Sequence, residues 1–337
     1  MHLPVGVQAA LEQLAVLPPG LAVPTAVRAG ALVSFGDSLS DNGNSWRLTG
    51  CTHPAPPALE GRFSDARVWV EFLAVMCDCP LTDLAHAGAT TDSTAVQGFT
   101  GPTTDFPVPS LREQVGMVRA VPADAIATVW GGSNDYYFDA LSLPPVVAGR
   151  TVDLVRELAQ KGFCRFLVVG MYPWGNSPTA FNSFAKRHTY NALASLHNLC
   201  LKDALVDLIN ELNAGRDDAR YHVWFLDAYA LFKRVLRSPQ QFGFAYNYVA
   251  FHTPASGQRG LALPTPPPPR KQETAGKRVQ CVSTAPIQQA DAPPPCAPVA
   301  FSPASLHVFF DDFHPSARMH RVIAEAAYAC LMAAPLA

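Results

Sequence analysis

The chain has 337 residues, of which 49% are hydrophobic and 15% charged. That composition supplies a sizeable core and excludes disorder as the dominant state. A balance of 25 basic and 27 acidic residues gives a formal net charge of -2, so no charge excess is available for a nucleic-acid backbone or an anionic membrane.

No apolar run reaches the ~18 residues of a spanning helix, and no fixed repeat period is present. Residues 1–30 form an apolar extension in which Val5 to Val16 reads as a short helix lying on the body. It makes a poor signal peptide: there is no basic n-region, Glu12 interrupts the run, and Pro18 and Pro19 close it. Ala31 to Phe35 is a buried parallel strand, and Gly36 then lets the chain turn tightly. Arg67 to Met76 carries apolar residues at helical spacing. Ala125 to Trp130 is a second strand, ending in Gly131-Gly132. A helix over Thr151 to Lys161 stops at Gly162, and a third strand, Arg165 to Val169, ends at Gly170. His188 to Leu212 is a long amphipathic helix, His222 to Leu226 a fourth strand, and Met319 to Met332 a closing helix.

This alternation predicts an α/β fold, a parallel sheet covered on both faces. Ligands then bind beyond the carboxyl ends of the strands. Between Thr253 and Ser305 the pattern breaks, since about a dozen of the 31 prolines fall there. Such a segment forms neither a helix nor an inner strand, so it is expected to be a surface insertion in one domain spanning 31–337. The fold resumes with the strand-like run His307 to Phe310.

The eight cysteines make no disulfide scaffold in so long a chain. Cys164 and Cys200 are expected to be buried free thiols, and Cys281 and Cys296 flank a loop and can pair. Cys77, Cys79 and His86 have a spacing that matches none of the common zinc ligand sets. No Asn-x-Ser/Thr glycosylation pattern occurs, so compartment is undecided by the residues themselves.

Four blocks carry candidate chemistry. Ser38, in Gly36-Asp37-Ser38-Leu39-Ser40-Asp41-Asn42-Gly43-Asn44, projects just after the first strand. A serine there is a nucleophile only if a base removes its proton, and alone the block reads as an ordinary turn. In Asp311-Asp312-Phe313-His314-Pro315, Asp311 and His314 are three apart, so a single turn faces both the same way. Asp311 then orients the imidazole, with Asp312 the rival acid; either also fits as N-cap of the closing helix. Asn134, in Trp130-Gly131-Gly132-Ser133-Asn134-Asp135, offers a side-chain donor for an oxyanion, and Gly88 in Ala87-Gly88-Ala89 a bare backbone N–H. Asp37, Ser133 and Asp135 are expected to hold loops. Trp130, Tyr136, Tyr137 and Phe138 are candidates for a pocket wall, and His86 for a packed residue. Together the blocks make a parts list for ester hydrolysis.

In this order the blocks resemble the GDSL esterases and lipases, also called SGNH hydrolases. Gly61-Arg62-Phe63-Ser64-Asp65 and its continuation through Val68 to Leu73 also look like that family, and the likeness runs from about Ala31 to about Met332. The resemblance implies a three-layer α/β/α domain with a central parallel, flavodoxin-like sheet. It implies Ser38 as nucleophile, His314 as general base and Asp311 as its orienting acid. The backbone N–H groups of Ser38 and Gly88, with the Asn134 side chain, form the implied oxyanion hole. No metal or organic cofactor is implied. The expected partner is a small-molecule, carbohydrate or lipid ester, with no nucleic acid and no membrane span. Secretion is implied too, against the missing signal pattern. The absence of a long amphipathic lid favours small acyl groups.

Two other classes are weighed. The α/β-hydrolase fold wants G-x-S-x-G at the nucleophile, which does not occur here. A non-catalytic binding protein on an inactive esterase fold fits poorly with a complete parts list. Acyl transfer to a sugar or sterol uses the same residues as hydrolysis.

Overall fold

The computed structural model describes residues 27–216, 219–252 and 303–336. The expected helix Val5 to Val16, most of the N-terminal extension, nearly all of the Pro-rich segment, Cys281 and Cys296 lie outside the described residues.

One sheet holds β1 (Ala31–Gly36), β2 (Leu81–Asp83), β3 (Ala125–Trp130), β4 (Arg165–Val169) and β5 (His222–Leu226). All neighbours run parallel, in the order β2-β1-β3-β4-β5. That is the flavodoxin-like doubly wound order, whose switch point lies between β1 and β3. Successive side chains of a strand point to opposite faces, and here both faces are buried. Leu32, Ile126, Trp130, Leu167 and Trp224 join one core with the helices Trp69–Cys77 (α1), Ala228–Arg237 and Ala317–Met332. Val33, Phe35, Ala127, Val129 and Phe166 join the other with Leu111–Met117 (α2), Pro144–Lys161 and Phe184–Asn213. Double-sided burial is why these strands read as unbroken apolar runs rather than alternating ones.

Further helices are α3 (Ser133–Phe138), α4 (Pro144–Lys161), α5 (Phe184–Asn213), α6 (Ala228–Arg237) and α7 (Ala317–Met332), beside the short Asn44–Leu48 and Pro178–Phe181. α4 starts well before the expected Thr151, because Pro144 and Pro145 occupy its first turn, where a missing N–H costs nothing. α7 is capped by neither Asp311 nor Asp312. Ser316 is its N-cap, its hydroxyl accepting the Met319 N–H, while Asp65 Oδ1 accepts the Ala317 N–H at 2.7 Å. β2 escaped the sequence reading, since three residues at a sheet edge carry no apolar run.

The run at His307 does not extend the main sheet. β7 (His307–Phe309) pairs in parallel with β6 (Tyr246–Ala250) in a separate two-stranded ladder. A two-residue hairpin pair, Phe99–Thr100 with Phe106–Pro107, stands beside the carboxyl ends of the strands. Cys164 and Cys200 are free but only partly buried; the Arg220 guanidinium reaches the Cys164 sulfur at 3.4 Å, where the thiol meets the polar surface before β4. Among the described residues, no helix is long and apolar enough to cross a membrane.

Candidate active site

β1 delivers Ser38 to the switch point. The turn after it is made by Asp37, whose carbonyl accepts the N–H groups of Ser40 and Asp41 and whose Oδ1 accepts that of Leu39, each at 3.0 Å. Gly36, expected to let the chain turn tightly, has a second role in strand contact. A Cβ there would lie 2.7 Å from the Trp130 carbonyl oxygen, so glycine is required for β1 and β3 to approach.

The β6–β7 ladder brings the histidine from the other end of the chain. The Phe310 N–H donates to the His314 carbonyl at 2.8 Å, and Ser316 N–H to Val308 at 3.0 Å, closing a loop around residues 311–315. Inside it, Asp311 Oδ1 accepts the N–H groups of Phe313 (2.8 Å) and His314 (2.7 Å). Both Asp311 oxygens face His314 Nδ1, at 2.9 and 2.8 Å, and His314 Nε2 lies 2.8 Å from Ser38 Oγ. The structure therefore brings together Ser38, His314 and Asp311. Asp312 stands aside, its carbonyl accepting the Thr179 N–H at 3.3 Å. Two aromatic residues from outside this loop brace it, one at the imidazole and one at the Phe313 carbonyl. Phe63 packs at 4.9 Å between centroids, and the Tyr172 hydroxyl donates to the Phe313 carbonyl at 2.8 Å. The sequence reading singles out neither as a site residue. Phe63 sits in the Gly61–Asp65 block, which showed itself only through resemblance.

The electrostatics match a hydroxyl–imidazole–carboxylate line. Burial pushes the Asp311 carboxyl up, but the facing imidazole and the two N–H donors outweigh it and hold the group below its ordinary range. Burial pushes the His314 imidazole down, and the Asp311 carboxylate with its hydrogen bond, helped by Asp37, raises it above its ordinary value. The partner shifts agree: each stabilises the charged form of the other.

The donors converge from two further loops. Gly88 adopts φ +87°, and a Cβ there would fall 2.0 Å from the Phe99 carbonyl oxygen, so both backbone and packing demand glycine. Among the described residues, the backbone N–H groups of Ser38 and Gly88 donate to no protein acceptor. Asn134, in the first turn of α3, spends one N–H on the Ala89 carbonyl at 3.0 Å. Its approach to Asp37 Oδ2 is long, at 3.5 Å, so that hold is weak. Ser38, Gly88, Asn134 and His314 all line one pocket.

Three buried carboxylates tie these loops in pairs. Asp37 of the Ser38 turn accepts from Ser133 Oγ at 3.0 Å, joining that turn to α3. Asp41 accepts the Ala87 N–H at 2.9 Å, joining the same turn to the Gly88 loop. Asp135 of α3 accepts the Thr91 N–H at 2.8 Å, joining α3 to the Gly88 loop. The expected holding role of Asp37, Ser133 and Asp135 thus has a geometry, and Asp41 adds the third side. Burial lifts the Asp37 carboxyl to about 6 against the pull of the Leu39 and Ser133 donors.

Of the four aromatic candidates for the wall, Tyr137 and Phe138 line the pocket. Trp130 instead packs edge-on against Trp69 in the core, and Tyr136 is buried with its hydroxyl 2.8 Å from His197 Nδ1. His86 turns its Nδ1 to the Leu84 carbonyl at 2.9 Å. Among the described residues, no three His, Cys, Asp or Glu side chains are placed to hold a metal ion.

A doubly wound parallel sheet carries a serine, a histidine and an aspartate in line at its switch point, an arrangement able to draw a proton from the serine hydroxyl. The chain belongs to the GDSL-like lipase/acylhydrolase family, whose model matches residues 32–327. It is similar to a GDSL esterase/lipase of Arabidopsis thaliana, 33% identical over 225 residues, 55% of this chain and 63% of that protein. A second Arabidopsis GDSL esterase/lipase is 31% identical over 219 residues, 53% of this chain and 60% of that protein. The matched region thus spans less than two thirds of either relative. Among solved structures, a member of the lipolytic G-D-S-L family from Veillonella parvula aligns with a TM-score of 0.36 at 14% identity, covering 64% of this chain and 86% of that one.

Proposed function

We propose that the protein hydrolyses carboxylic esters through an acyl-Ser38 intermediate. The observation that carries this reading is the continuous line from Ser38 Oγ to His314 Nε2 and from His314 Nδ1 to Asp311. Ser38 attacks the ester carbonyl as His314 Nε2 takes its proton. The developing oxyanion is met by the N–H groups of Ser38 and Gly88 and by the Asn134 amide, which are oriented before reaction begins. His314 returns the proton to the departing alcohol. Water then gives its proton to His314 and attacks the acyl group, releasing the acid and restoring Ser38. Asp311 remains a carboxylate throughout and stabilises the imidazolium. Family membership and the esterase/lipase relatives support the reaction class.

The test is turnover of 4-nitrophenyl acetate by the wild type and Ser38→Ala, with labelling of Ser38 by a phosphonate. A loss of ~10⁴-fold or more in a folded variant is expected. Equal rates in the two proteins, or a wild type that neither turns over the ester nor takes the label, would overturn the proposal.

A further inference from the structure

The proton path divides the pocket into two sides. His314 Nε2 must reach the leaving oxygen, so the alcohol lies on the side of His314, Phe63 and His53, where the rings contact in series at 4.9 and 5.4 Å. The carbonyl oxygen faces the Gly88 and Asn134 donors, so the acyl chain takes the remaining direction, away from His314 and along the wall that holds Phe99 and Phe138. On that side stands Phe99, the residue whose carbonyl closes over Gly88. Its ring meets Phe138 at 5.9 Å and 71°, and Phe138 meets Tyr137 at 5.0 Å and 90°. All three rings are partly exposed and line the pocket.

Two rings at right angles present a guest with one face and one edge. A flat guest ring satisfies both at once, since aromatic pairs prefer edge-to-face or offset contacts and gain beyond the area they bury. An alkyl chain of equal size gains only the burial. Charge points the same way. Among the described residues, no Asp, Glu, Lys or Arg side chain lines the pocket. An anionic acyl group would find no Lys or Arg among those lining residues to offset its desolvation. We infer that the acyl side of the site selects an uncharged aryl-bearing acyl group, seated in the corner formed by Phe99 and Phe138, with Tyr137 standing between Phe138 and Phe313. This inference rests on the proposed ester hydrolysis and names its acyl class.

The experiment compares 4-nitrophenyl esters that share a leaving group and an unconjugated carbonyl: acetate, hexanoate, 3-phenylpropanoate, 3-cyclohexylpropanoate and 3-(4-carboxyphenyl)propanoate. The phenyl ester should exceed the cyclohexyl ester in kcat/KM by about tenfold. The carboxylated ester should fall below the phenyl one by tenfold or more. Phe138→Leu should bring the phenyl-to-cyclohexyl ratio close to one, and Phe99→Leu should lower it as well. The ratio is internal to each variant, so a general loss of activity does not imitate the result. Equal turnover of phenyl and cyclohexyl esters, or a ratio that survives Phe138→Leu, would overturn the inference while leaving the esterase reading intact. Failure to hydrolyse any ester, acetate included, would overturn the esterase reading itself.

Discussion

Ser38 and His314 are separated by 276 positions, yet their reacting atoms stand 2.8 Å apart. The pairing makes a pH prediction. In the proposed mechanism the base is neutral His314, and its imidazole is held above the ordinary 6.5. The rate should therefore be full at alkaline pH and fall as pH drops through a value above 6.5. Asp311→Asn removes the principal raising charge. It should move that limb to lower pH and cut kcat by roughly 10⁴-fold, as expected for loss of the orienting acid. A kcat/KM profile of both proteins checks this. Gly88 offers a second residue-scale case. Gly88→Ala adds a methyl 2.0 Å from a carbonyl oxygen at a left-handed φ. The loop must move, carrying its donor with it, so kcat should fall on the order of 10²–10³-fold. Steady-state kinetics with the fold verified by circular dichroism decide it.

At the scale of elements, the site is a junction of three loops and one turn, and buried carboxylates tie the Ser38 turn, the Gly88 loop and α3 in pairs. Asp135 joins α3 to the Gly88 loop through both the Thr91 N–H and its hydroxyl, and Arg150 approaches it at 3.4 Å. Asp135→Asn keeps the volume but loses an acceptor. The donors should lose registration with each other, lowering kcat up to about a hundredfold with KM little changed, because small displacements near the reacting atoms are costly. A matching rise in KM alone would instead mean that the link serves binding. Sequence reasoning marks Asp37, Ser133 and Asp135 as loop holders but not what they hold, since Asp41 and Thr91 look like ordinary loop residues until their loops meet. Element identity was far more legible. The strands β3, β4 and β5 coincide with the runs Ala125 to Trp130, Arg165 to Val169 and His222 to Leu226. Boundaries governed by capping were less so, as the early start of α4 at Pro144 shows.

For the whole molecule, one buried carboxyl couples folding to pH. Asp37 rises from 3.8 to about 6 because it is fully buried. A carboxyl raised on folding contributes stability that is fully present below the unfolded value and is lost as pH rises through the folded one. That contribution is roughly 3 kcal/mol at most. Asp311 opposes it: depressed on folding, it contributes stability at neutral pH that is lost in acid. Comparison with Asp37→Asn isolates the first effect. Between pH 4 and 7 the wild type should lose stability relative to the variant, read as urea midpoints at each pH. A constant difference across that range would show that Asp37 is not perturbed.

The sequence by itself determined the α/β class, the parallel sheet and the order of the chemical blocks, because these depend on local periodicity and on which residue types follow each strand. It also singled out Ser38, Asp311, His314, Gly88 and Asn134 as a set. Only the tertiary structure decided which acid faces the imidazole. Asp311 and Asp312 are neighbours in sequence, and the β6–β7 ladder turns one inward and the other aside. Only the fold revealed that this ladder stands apart from the main sheet, that Gly36 serves strand approach, and that Trp130 and Tyr136 belong to the interior. Those outcomes depend on contacts between segments far apart in the chain, which no local pattern encodes.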